Sequence, residues 1–97
     1  TVLGKEELPI EVEGHSDDIP IATAQFPSNW ELSSARASSV VRMLIDNGVP
    51  AKRLAVVGLA SNQPLVPNDS SENRARNRRV TITIMSPNVE RGVGIEE

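Results

Sequence analysis

With 97 residues, 38% of them apolar, and 13 acidic against 10 basic side chains for a net charge of −3, the chain has room for one core and is too acidic to bind polyanions as a whole. It has no cysteine, which excludes disulfides and thiolate metal sites. No apolar run approaches the roughly 20 residues that cross a bilayer, and Phe26 and Trp30 are the only aromatic residues, so the core is aliphatic.

Residues 1–7 read as the end of an upstream helix. A start at Thr1, with neither methionine nor leader, reads as a piece of a longer protein whose membrane anchor lies elsewhere. "LPIEVEG" (8–14) alternates, with Ile10 and Val12 on one side and Glu11 and Glu13 on the other, which predicts a half-buried strand. Residues 16–30 carry two prolines and many polar groups and read as a long loop. From Leu32 to Asn47 the apolar residues Ala37, Val40, Val41, Leu44 and Ile45 recur at helical spacing, with Asn29, Ser33 and Ser34 as candidate N-caps. Asn47-Gly48 followed by Pro50 is a helix stop. "RLAVVGLA" (53–60) predicts a strand over 54–59 covered on both faces, and strand, helix and strand make one parallel βαβ unit. Asp69 and Glu72 resemble a capping box for a short helix near 70–77. In "RVTITIM" (79–85), Val80, Ile82 and Ile84 are expected inward and Thr81 and Thr83 outward. Residues 87–97 lack periodicity and read as a disordered tail.

"GHSDDIP" (14–20) places a lone histidine and two carboxylates at a strand end. A metal site needs three or four converging ligands, so His15 with Asp17 makes a poor one; the simpler role for His15 is to orient the loop by hydrogen bonds. Asp17 and Asp18 are adjacent and point apart on extended chain, and no nucleophile elbow, phosphate loop or dinucleotide fingerprint occurs, so no enzyme is indicated. "RARNRR" (74–79) gathers Arg74, Arg76, Arg78 and Arg79, with Arg74 and Arg78 sharing a helix face. An acidic domain with no aromatic beside that cluster is a poor nucleic-acid binder; a solvated helix end explains it. Arg36, early in the main helix, lies near the edge where βαβ units form clefts. Asp17 and Arg36 either face one cleft, where a carboxylate and a guanidinium would hold a zwitterion, or pair with each other and brace the loop.

Gly14-His15-Ser16-Asp17, then Asn29-Trp30-Glu31-Leu32-Ser33-Ser34-Ala35-Arg36-Ala37, then Asn77-Arg78-Arg79-Val80, in that order, resemble the OmpA-like peptidoglycan-binding domain over roughly residues 9–86. Within it, the long insertion between Asp17 and Asn29 and the Trp30 that follows look most like the periplasmic C-terminal domain of MotB-type flagellar stator proteins. The resemblance implies an α/β (α+β) sandwich over 8–86, with helices packed on a mixed sheet and the family's first strand and most of its first helix missing. A missing strand leaves a sheet edge that invites pairing with a second copy. The resemblance further implies a non-catalytic wall anchor without cofactor or metal. Asp17 would take the amino group and Arg36 the carboxylate of meso-diaminopimelate in the peptidoglycan peptide stem, and Asn29 would add a hydrogen bond. His15, Leu32, Asn77, Arg78 and Arg79 would shape that site. Partners implied are peptidoglycan, a second copy in a homodimer, and a stator subunit met through an N-terminal transmembrane segment, in the periplasm of a Gram-negative cell. The alternative within the resemblance is an OmpA- or Pal-like, or secretion-system, wall-tethering domain. Phe26 and Trp30 are expected to anchor the loop rather than pack on the glycan, and Asp18 to be solvated.

Overall fold

The computed structural model describes residues 8–85; the upstream helix end expected at 1–7 and the tail expected at 87–97 lie outside the described residues. Three strands, β1 (Ile10–His15), β2 (Leu54–Gly58) and β3 (Arg79–Ile84), and two α-helices, α1 (Asn29–Asp46) and α2 (Ser71–Asn77), follow in the order β1, α1, β2, α2, β3, with a 3-10 turn at Ala51–Arg53. The sheet order is β2-β1-β3. β1 runs parallel to β2, with Ile10 opposite Leu54 and Gly14 opposite Gly58, and antiparallel to β3, with Ile10 opposite Ile84 and Gly14 opposite Val80. The strand–helix–strand unit is thus present, and the sheet is mixed.

Paired residues in a ladder share a sheet face. Ile10, Val12, Leu54 and Val80 therefore project together, and with Ala37, Val40, Val41 and Leu44 of α1 they form the core. Val12 and Ala37 have no exposed surface; burying a valine fully is worth about 1.5–3 kcal/mol. Three expectations need correction. Ile45 is exposed, outside the packed stripe of α1. Ile82 and Ile84 are exposed although their register puts them on the core face, because α1 lies over β1 and β2 and scarcely reaches β3. β2 is an edge strand among the described residues, and its Val56 is exposed rather than covered.

Helix starts also differ from expectation. α1 begins at Asn29, not Leu32, because Ser28 is its cap: the Ser28 hydroxyl accepts from the Trp30 amide and meets the Glu31 carboxylate. Ser28-x-x-Glu31 is a capping box. Likewise α2 is capped by Ser70, which accepts from the Asn73 amide at 3.0 Å, while Asp69 bonds the Asn73 side chain at 2.8 Å. The Asn47-Gly48 stop holds, with Gly48 at φ 100° and its amide bonded to the Ile45 carbonyl.

The N-terminal half of α1 presses on the C-terminal ends of the parallel strands. A Cβ at Gly14 would collide with the Ser33 carbonyl oxygen, and one at Gly58 with the Ser34 side chain. Ser33 is fully buried and accepts from the Ala60 amide at 3.1 Å. These contacts set Asn29 through Ser34 beside the loops leaving β1 and β2.

Candidate functional site

Those loops are joined by polar contacts. The Ser16 amide bonds the Ala60 carbonyl at 2.8 Å, and Ala60, at φ 52°, adopts a left-handed conformation unusual for a residue with a Cβ. Asp17 is buried just past β1. One carboxylate oxygen accepts from the Ile19 amide at 3.0 Å, the other from Arg78 Nη1 at 2.7 Å. Asp18 accepts from Arg74 Nε at 3.1 Å. Adjacent carboxylates thus hold arginines one helical turn apart, as the i,i+4 spacing of Arg74 and Arg78 allows.

Several sequence expectations change here. Asp17 pairs with Arg78, not Arg36. Arg78 therefore contacts the central carboxylate directly. Asp18 is partly exposed but paired, and Arg74 holds it rather than only decorating a helix face. Arg36 is exposed and has no hydrogen bond or ion pair among the described residues. Asn29 donates to the Ile19 carbonyl at 3.0 Å, tying α1 to the loop after β1. Leu32 is half-buried.

His15 is 2% exposed, yet neither ring nitrogen has a hydrogen-bond partner among the described residues; Nε2 lies 3.6 Å from the Glu13 carboxylate, too far to bond. It does not orient the loop by hydrogen bonds. Burial, followed by the nearby Arg79 charge, lowers its pKa below 6.5 against the opposing pull of Glu13. Arg79 donates to the Asn77 and Gln63 carbonyls. Asn77 is fully buried: its amide oxygen accepts from the Leu65 and Val66 amides, and its nitrogen donates to the Val66 carbonyl and the Asn68 side chain. It pins the loop from β2 against α2 and so positions Arg78.

Next to the Asp17–Arg78 pair lies an open cleft of about 340 Å³. Asp18, Ser28, Asn29, Ser61 and Asn62 give it polar walls, and Pro20, Ile21, Trp30 and Ala60 apolar ones. Trp30 is 53% exposed, so it does not anchor the loop as expected; Phe26, half-buried within a Thr23–Phe26 turn, is the better candidate for that role. Neither Asp17 nor Arg36 lines this cleft. Sequence reasoning missed Ser28 and the Asp18–Arg74 pair and took Asn29, Ser33 and Ser34 for candidate helix caps, whereas all three lie inside α1 and Ser33 is buried against the Ala60 amide; Ser28 alone left a local signal, its glutamate three residues on.

The OmpA family model matches residues 2–78. An uncharacterized protein YtxE of Bacillus subtilis is 46% identical over 76 residues, 77% of this chain and 31% of that protein. Among solved structures, the cell wall anchor of the T6SS from Pseudomonas aeruginosa superposes with a TM-score of 0.76 at 45% identity, covering 87% of this chain and 59% of that one. The C-terminal domain of Helicobacter pylori MotB superposes with a TM-score of 0.76 at 38% identity, covering 84% of this chain and 60% of that one. The chain spans under a third of the length of the curated relatives it first matches.

Proposed function

The chain belongs to the OmpA family, and from that membership we propose that it is a non-catalytic peptidoglycan-binding domain that anchors a MotB-type flagellar stator to the cell wall. The observation that carries this reading is its likeness to the MotB C-terminal domain, at 38% identity and a TM-score of 0.76. In this reading the domain is periplasmic and tethered to the inner membrane by a segment of the longer protein. It works as a homodimer, whose two sites on one polymer gain avidity, and meets a stator partner subunit through that membrane segment.

The binding step follows from charge. Asp17 is already aimed by the Ile19 amide and neutralised by Arg78. The ammonium of a diaminopimelate-containing stem replaces the Arg78 guanidinium on the outer oxygen of Asp17. The exposed guanidinium of Arg36 is unpaired among the described residues and free to take the stem's carboxylate in a bidentate fork. Asn29, which holds the loop through the Ile19 carbonyl, adds a hydrogen bond to the stem through its remaining amide oxygen. No bond is made or broken in this sequence.

A second reading has its own observation. The T6SS cell wall anchor is 45% identical with the same TM-score, which favours a secretion-system wall tether. Both readings share the wall-binding step and part on what the domain is fused to. A single transmembrane helix bearing an acidic residue in the full-length protein supports the stator; another fusion supports the tether. The shared step is tested by sedimentation with insoluble peptidoglycan. The protein is expected in the pellet with no soluble muropeptide released. Protein left in the supernatant refutes wall binding, and release by contaminant-free protein refutes the non-catalytic reading.

A further inference from the structure

We propose that His15 is a pH-sensitive latch beneath the ligand site: on taking up a proton it sets a positive charge opposite Arg79, loosens the loop at 61–66 that Arg79 holds, and weakens binding of the peptide stem. This regulates the wall-binding site proposed above and rests on that reading. The first observation is the state of the ring. His15 is 2% exposed, and neither nitrogen has a hydrogen-bond partner among the described residues. Buried polar groups are normally bonded, so a dry imidazole at the strand end that leads into Ser16 and Asp17 needs an account of its own. Histidine is the side chain that ordinarily changes charge between about pH 5 and 8, and this is the only histidine of a chain without cysteine.

The second observation is what surrounds it. Gly14 faces Ser33 of α1, so His15, next along the strand, projects from the opposite face of the sheet. Its cross-strand partner there is Arg79, and like charges directly opposite each other on neighbouring strands repel. Glu13, two residues back on the same face, brings a carboxylate to 3.6 Å from Nε2. β2 and residues 59–66 carry no titratable side chain, and Arg74 and Arg78 of α2 are paired with Asp18 and Asp17. Burial and then Arg79 outweigh Glu13 and hold the ring's pKa below 6.5. Arg79 also spends its guanidinium on the Asn77 and Gln63 carbonyls, which ties β3 to the loop after β2. That loop is stitched to β1 on either side of His15, by the Leu59 amide to the Gly14 carbonyl at 3.0 Å and by the Ser16 amide to the Ala60 carbonyl at 2.8 Å. A proton on His15 thus pushes on the guanidinium that clamps the loop. A conformation that wets the ring or releases Arg79 holds the proton more tightly than the closed one, so acidification favours it. Stem binding, which needs Asp17 and the loop in place, is complete above about pH 6.5 and declines as pH falls from there.

A single imidazole lets NMR titrate His15 directly in the wild-type protein. Its midpoint is expected below 6.5, and lower again with a diaminopimelate-containing muropeptide bound, because linkage is reciprocal. By titration calorimetry, muropeptide affinity is expected to fall several-fold between about pH 7 and pH 5.5, a window with carboxylates titrating below it and amines above it. His15→Gln keeps a polar side chain but cannot take up the proton, and is expected to flatten that dependence. Protection of the Leu65 and Val66 amides from hydrogen exchange is expected to drop over the same window in wild type and to hold in His15→Gln. A midpoint at or above 6.5 in folded wild type, a midpoint that bound muropeptide does not move, or an equal pH slope of affinity in folded His15→Gln overturns the proposal. The midpoint and its shift are read in wild type, so they decide the matter even where His15→Gln does not fold. Absence of muropeptide binding at every pH is failure of the wall-binding reading instead. The exchange data then judge the latch on the loop: protection lost on acidification in wild type alone supports it, and protection unchanged in wild type overturns it.

Discussion

Replacing Asn77 by alanine is expected to loosen the site without touching any residue assigned to the ligand. Asn77 has no exposed surface and satisfies all four of its hydrogen-bonding positions: two bonds from the Leu65 and Val66 amides at 2.8 and 3.0 Å, and two to the Val66 carbonyl and Asn68 at 2.9 and 2.8 Å. Each such bond contributes about 1 kcal/mol net, and partners left dry cost more. Water will reach some of the freed groups, because the loop at 61–66 is largely exposed. The expected loss is therefore about 2–4 kcal/mol, a large fraction of the ~5–15 kcal/mol that holds a small domain together. Urea unfolding followed by Trp30 emission measures the total. Hydrogen exchange at the Leu65 and Val66 amides measures the local part, and both should lose protection. An alanine variant within about 0.5 kcal/mol of wild type, with unchanged exchange at those amides, would refute the claim that this side chain pins the loop.

Gly14→Ala is expected to fail to fold or to fold only with α1 displaced, since its Cβ meets the Ser33 backbone and not a movable side chain; a native circular dichroism spectrum and melting point would contradict the packing of α1 on β1. The lowered pKa of His15 makes stability depend on pH. The unfolded chain takes up this proton first on acidification, so the contribution is complete above about 6.5 and is lost as pH falls from there toward the folded value. Denaturation midpoints across that window should slope in wild type and flatten in His15→Gln; parallel slopes would assign the dependence to other groups. Arg74→Ala removes a partly exposed ion pair with Asp18 and is expected to change stability by less than about 1 kcal/mol, checked by the same urea titration.

Local patterns made the framework readable. β1 shows its alternation because one face meets α1 and the other carries glutamates, and α1 shows its stripe from Ala37 to Leu44 for the same reason. The first turns of α1 carry no such stripe, so its start depended on recognising Ser28 and Glu31 as a capping box. Ile45, Ile82 and Ile84 were read inward because periodicity tells which way a side chain points, not whether anything covers it. At the site, proximity to the strand end and the helix start was legible for Asp17 and Asn29. The ion pairs were not: Asp17 and Arg78 are 61 residues apart and Asp18 and Arg74 are 56 apart. Their meeting depends on β3 lying antiparallel beside β1, which returns the end of α2 to the loop after β1. His15 was misread because a lone polar residue suggests a bonding role that its buried ring, unbonded among the described residues, does not show.

The central claim is that Asp17 and Arg36 hold the two charges of a zwitterionic peptide stem. It is tested most directly by the affinity of a diaminopimelate-containing muropeptide for wild type, Asp17→Asn, Arg36→Ala and Arg36→Lys. Arg36 is exposed and without an ion pair among the described residues, so its removal should leave the unfolding midpoint near wild type and isolate the binding effect. A charge-assisted hydrogen bond contributes roughly 1.5–3 kcal/mol, so Arg36→Ala is expected to weaken binding about ten- to a hundredfold. Lysine should restore part of this, since an ammonium cannot form the bidentate fork, and Asp17→Asn should weaken binding by a similar factor. Wild-type affinity in folded Arg36→Ala would contradict the account and leave Arg36 a solvated surface residue.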